Sequence, residues 1–155
     1  RVFTGDKSSD FLFKCLYKTG FANQGISISK DDGLKLKNLY LTTALKCVPP
    51  EDKPKHDELK ACFNFFREEI KYLTKINTIV ALGKIAFDAC LNFYMQDYDL
   101  KKKDFVFQHG TEYLLPDKKT LIGSYHPSPR NVNTGRIDEN KMVKLLKKVQ
   151  KVMKQ

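Results

Sequence analysis

Two short apolar runs constrain this chain more than anything else in it. "NTIVALG" (77–83) and "TLIGSY" (120–125) are too short for helices and too apolar for exposed loops. Continuous apolar runs of this kind read as strands covered on both faces. A third candidate strand, "LYLTTAL" (39–45), precedes them. Amphipathic stretches fill the intervals. Strands alternating with helices imply an α/β fold, a three-layer α-β-α sandwich around a mainly parallel sheet.

The helical stretches are legible from their period. Phe11, Leu12, Cys15 and Leu16 recur at helical spacing after Asp6, Ser8 and Ser9, which can cap, and Gly20 stops the run. Leu59, Cys62, Phe63, Phe66, Ile70 and Leu73 line one side of a helix over 57–73. "KIAFDACLNFYM" enters a helix through Gly83, and the last helix spans 138–153. Met142, Leu145, Leu146, Val149 and Val152 face one way on it, with lysines around the rest, which reads as a core-packing helix with a solvated face. "DFVFQHGTEYLLP" suggests extended pieces around His109 and Gly110, and 23–37 reads as a polar connector. At 155 residues the chain fits a single domain, 1–155.

The charge balance, 28 Lys and Arg against 18 Asp and Glu, leaves +10, which suits a polyanionic partner but also an ordinary lysine-rich surface. No apolar run approaches a membrane span. The opening "RVFTGDKSSD" is polar and is not a secretory signal. The four cysteines are too scattered for a disulfide scaffold, so reduced thiols in an intracellular, cytoplasmic compartment are expected. Cys15 and Cys90 sit on apolar helix faces and read as core. Cys47 and Cys62, fifteen residues apart, are a weak metal signal when taken alone.

In open α/β sheets, ligands gather at the carboxyl ends of strands. "ALKCVPP", "ALGK" and "SYHPSPRN" all fall at such ends. The last is the most informative. Its imidazole, His126, follows a buried strand and can donate to a developing anion, or can simply stabilise a turn. Pro127 and Pro129 stiffen the loop. Ser128, Asn131 and the backbone can meet phosphates, and Arg130 is long enough to enter a groove. Near the start, Phe3 can be a platform for a flat base and Asp6 can orient water or face a cationic sugar. Spacing alone favours a core aromatic and an N-cap for those two.

In order, "FTGDKSSDFL", "YLTTALKCVPPEDKP", "ELKACFNFFREEI", "IVALGKIAFDA", "FQHGTEYLL" and "SYHPSPRNVNTGR" resemble the family 5 (type B) uracil-DNA glycosylases across nearly the whole chain. The resemblance implies a DNA repair enzyme that flips out a deaminated base and hydrolyses its N-glycosidic bond. Uracil is the main substrate, with hypoxanthine and xanthine also accepted, and an abasic site is left. Carried over by position, Asp6 and His126 would be catalytic. Phe3, Thr43 and Asp52 would meet the base. Ser128, Pro129, Arg130, Asn131, Asn133 and Arg136 would meet DNA. Asp52 stands where many members have Asn, and Thr43 where the neighbouring family 4 has a base-reading Asn.

The family also binds a 4Fe-4S cluster through four cysteines. Cys47 and Cys62 match the second two. The first two, a Cys-x-x-Cys, have no counterpart here, nor does an upstream Gly-x-Ala-Pro. The resemblance therefore implies an N-terminally incomplete domain without its first strand, with half of the cluster ligands. It implies DNA containing deaminated bases as partner, no membrane, and a monomer. The competing expectation is a non-catalytic nucleic-acid-binding remnant of the same fold. An unrelated basic α/β domain would leave the ordered motifs unexplained.

Overall fold

A computed structural model describes residues 3–46 and 55–153. Its centre is β3 (Thr120–Ser124), which pairs in parallel with β1 (Thr78–Leu82) and antiparallel with β2 (Glu112–Leu114), in the order β1-β3-β2. The register pairs Thr78 with Thr120 and Leu82 with Ser124. The two parallel strands therefore end level with each other. β2 is antiparallel because a tight turn joins it to β3. The Leu115 amide donates to the Lys119 carbonyl at 2.8 Å, and Lys118 takes a positive φ of 68° within that turn. The described sheet is thus evenly mixed.

Strand alternation divides the core into two layers. Val80, Leu82 and Ile122 face a cluster formed with α1 (Lys7–Lys18) and α5 (Glu139–Val152), including Leu12, Phe13, Leu16, Met142, Leu145 and Val149. Ile79, Ala81 and Leu121 face the other cluster. That one is built with α2 (His56–Tyr72) and α3 (Lys84–Tyr94) from Phe66, Phe87, Leu91 and Tyr94. These are the expected three layers, with helices on both faces. Leu121 and Ile122 are each fully buried, so β3 has no solvent face. Cys15 and Cys90 are core residues as expected, and burial pushes their thiols up to about 11 and about 12. No helix among the described residues is long and apolar enough to cross a membrane.

Local signals explain the helix starts. The Asp6 carboxylate accepts from the Ser9 amide at 2.8 Å while the Ser9 hydroxyl accepts from the Asp6 amide, a capping box that starts α1. Asp138 caps α5 in the same manner through the Lys141 amide.

One expected strand is not formed. Residues 39–45 keep a strand's alternation without joining a ladder. Leu39 and Leu41 pack onto the α1–α5 cluster, whereas Tyr40 and Thr42 turn their hydroxyls to Glu69 of α2, at 2.7 and 2.5 Å. A strand needs a neighbouring backbone, and among the described residues this segment is held by side chains instead.

Gly123 is the tightest point in the sheet. A Cβ there would lie 2.7 Å from the Gln108 carbonyl oxygen and 2.9 Å from Thr111 Oγ1. Gly123→Ala should cost about 1–3 kcal/mol through overpacking. A urea unfolding curve checks this, with a lower midpoint and unchanged slope as the expected result.

Candidate active site

The site grows from the level ends of β1 and β3. The Gly83 amide donates to the Ser124 carbonyl at 2.7 Å, which carries the pairing one residue past β1 and places the start of α3 beside the residues after β3. Gly83 has a φ of 103°, and a Cβ on it would stand 3.3 Å from His126 Cβ. Only glycine accepts this backbone while letting His126 sit so close.

His126 leaves β3 half-buried. The Phe3 ring stands 6.3 Å from its imidazole, tilted by 33°. Phe3 itself adopts a φ of 54°, uncommon for an aromatic residue, just before the turn through Gly5 whose amide donates to the Ser27 carbonyl. The cap at Asp6 follows directly. Burial lowers the pKa of His126 below the ordinary histidine value, and the negative charge of Asp6 partly opposes that. The imidazole is therefore neutral at neutral pH, and a neutral imidazole still has one N–H to donate.

The loop after His126 is more structured than its prolines suggest. Ser128 caps, and Pro129 opens, a short helix, α4 (Pro129–Asn133). The Asn131 side chain donates back to the His126 carbonyl at 2.9 Å, tying the loop to itself. Arg130 and Asn133 are exposed on this helix. Arg136 lies over the Tyr125 ring at 5.3 Å, a cation–π contact. A cavity of about 360 Å³ opens here, lined by Gly83, Lys84, Phe107, Tyr125, His126, Asn131 and Arg136.

Of the expected site residues, Phe3, Asp6 and His126 come together, with Ser128, Pro129, Asn131 and Arg136 around them. Thr43 does not join them. It lines a separate cavity of about 450 Å³ with Tyr40, Thr42, Lys46 and Glu69, and its hydroxyl donates to the Leu45 carbonyl. Asp52 and Cys47 lie outside the described residues. Phe107, Tyr125 and His109 were not singled out from the sequence. The signal was present as alternation, since Phe105, Phe107 and His109 are half-buried while Val106 and Gln108 between them are exposed.

A 4Fe-4S cluster needs four thiolates. Cys62 is buried on α2, and the Lys46 amide donates to its sulfur at 3.5 Å. Among the described residues, however, no group of three or more His, Cys, Asp or Glu side chains is placed to hold a metal ion. The described residues do not make a cluster site.

Residues 1–150 match the model of the uracil DNA glycosylase superfamily. The chain belongs to that superfamily. It is 38% identical over 146 residues to a type-5 uracil-DNA glycosylase of Thermus thermophilus, covering 94% of this chain and 64% of that protein. It is 37% identical over 148 residues to the type-5 uracil-DNA glycosylase of Pyrobaculum aerophilum, covering 96% and 62%. A type-4 uracil-DNA glycosylase of Thermotoga maritima is 29% identical over 100 residues, 64% of this chain and 48% of that protein. The chain thus spans less than two thirds of the length of these relatives.

The electrostatics of the site give a direct expectation. Asp6→Asn removes the charge that raises His126, so the His126 midpoint should fall further. An NMR titration of the imidazole protons measures it, and an unchanged midpoint would contradict the pairing. Because His126 and His109 both titrate below the ordinary value, their contribution to stability is present above that value and lost as pH falls through the folded pKa.

Proposed function

We propose that this chain carries the chemistry of a type 5 uracil-DNA glycosylase, excising uracil from DNA and leaving an abasic site. The observation that carries the reading is the Phe3–His126 pair at the level ends of β1 and β3, with the Asp6 charge acting on the imidazole.

The bond to be broken joins C1′ of the sugar to N1 of the base, and it cannot be reached inside a stacked duplex. The nucleotide is turned out, and its flat base rests against Phe3. As the bond breaks, its electron pair leaves with the base and the sugar becomes cationic. The neutral His126 N–H donates to the anion forming on the base, and the Asp6 carboxylate faces the sugar. One carboxylate oxygen caps α1; a carboxylate has a second to offer. Water then adds at C1′ and gives up a proton to solvent, the base anion takes one up, and the hydrolysis is complete.

Ser128 to Asn131 enter the minor groove with Arg130 near the vacated position. Asn133 and Arg136 support that loop or meet phosphate, and the net charge of +10 favours the duplex as a whole. Hypoxanthine and xanthine are proposed as further substrates, Asp52 as a reader of the base edge, and a monomer as the acting form.

Incubating the chain with duplex DNA carrying one U opposite G, followed by alkali, tests this. Cleavage at the U is expected. His126→Ala should lower the rate about 100- to 1,000-fold, the usual cost of removing one donor to a developing anion. Salt-sensitive binding of the same duplex without cleavage would instead favour a non-catalytic binding remnant.

A further inference from the structure

β3 ends in an unusual way on its β2 side. The antiparallel ladder there proceeds through the Gly123 amide to the Thr111 carbonyl at 2.9 Å and the Gly110 amide to the Gly123 carbonyl at 2.8 Å. The next amide along that edge is Tyr125, directly before His126. Its partner is a side chain, not a carbonyl: it donates to His109 Nδ1 at 3.4 Å. The buried Ser124 hydroxyl lies 3.3 Å from the same nitrogen. The His109 ring also stacks on Tyr125, with centroids 5.6 Å apart and planes 29° apart. Tyr125 in turn carries Arg136 and lines the cavity.

We propose that His109 is a positioning residue for His126, its Nδ1 standing in for the missing ladder carbonyl and fixing the course of the chain through Tyr125. This rests on the reading of His126 given above, and it adds a second functional histidine that the expected set of site residues lacks. The chemistry sets the tautomer. An Nδ1 that accepts from an amide carries no proton, so the ring must be neutral with its proton on Nε2. Protonation turns Nδ1 from acceptor to donor, opposing the Tyr125 N–H and releasing the end of the strand.

The surroundings favour the neutral ring. Burial lowers the His109 pKa, joined by the Lys141 ammonium, while the Lys141 backbone and the Asp138 carboxylate, both at the start of α5, pull the other way. Among the other charged groups nearby, Arg136 stands on Tyr125, and Lys148 reaches the Gly110 carbonyl at 3.5 Å while pairing with Glu112.

The test compares His109→Asn, whose Oδ1 falls where Nδ1 was but cannot be protonated, with His109→Phe, which keeps the stack and loses the acceptor. The first readout is hydrogen-exchange protection of the Tyr125 amide, which needs no catalysis. Phe should lower protection about tenfold, the worth of one net hydrogen bond, and Asn should restore it. In the wild type, protection should fall as pH drops through the His109 midpoint; in the Asn variant it should not. The second readout is uracil excision. Phe should lower kcat with little change in KM, and Asn should act like wild type at neutral pH.

Unchanged Tyr125 protection in His109→Phe overturns the proposal. Should that variant fail to fold, His109→Gln, whose acceptor falls at the ε position, replaces it: equal protection in Asn and Gln overturns the proposal, and protection in Asn alone supports it. If the wild type excises nothing, the reading of His126 fails while the exchange data still decide the role of His109.

Discussion

The level pairing of β1 with β3 is the constraint on which the rest of the site depends. Because Leu82 meets Ser124, the two chains leave the sheet at one height, and the Gly83 amide reaches the Ser124 carbonyl across the gap. A slip of one residue would turn Ile122 out of its cluster and send His126 to the opposite face. The burial of Leu121 and Ile122 on opposite faces prevents that slip. Apolar packing between two helical layers thus sets the position of a polar group at the edge of the sheet.

Around that edge, each constraint has a separate local origin. Gly83 gives room for the imidazole, the Asn131 amide folds the loop back onto the His126 carbonyl, and the α1 capping box presents Asp6 from the other side. The cap at Asp6 and its proposed role at the sugar do not compete, since a helix cap fixes the carboxylate in space and a fixed carboxylate is what a developing cation requires. The alternatives that spacing left open for Asp6, a cap or a site residue, need not exclude each other.

Much of this arrangement was legible in the chain itself. The apolar runs at 77–83 and 120–125 contain β1 and β3, and the helix periods lie within a residue or two of α1, α2, α3 and α5, because burial on one stripe or both faces leaves a direct mark on sequence. Three features were less visible. Residues 39–45 have a strand's alternation, but pairing depends on a neighbour that no local pattern specifies. The Ser128–Pro129 start of α4 was masked by reading both prolines as loop stiffeners, although serine at the cap and proline in the first turn are also a helix signal. The roles of Phe107, Tyr125 and His109 arise from the crossing of two segments at the end of the sheet, so no single stretch of sequence carries them. The site roles themselves came from resemblance to a family. Membership of the uracil DNA glycosylase superfamily supports that resemblance without assigning a role to any one residue.

The central claim is that His126 stabilises negative charge on the departing base. The most direct measurement is the ratio of wild-type to His126→Ala excision rates for uracil and for 5-fluorouracil, whose fluorine itself stabilises the anion. A residue acting on that charge matters less when the leaving group is better, so the ratio should shrink with 5-fluorouracil. An equal ratio for the two bases would contradict the account and place His126 among the residues that only shape the loop.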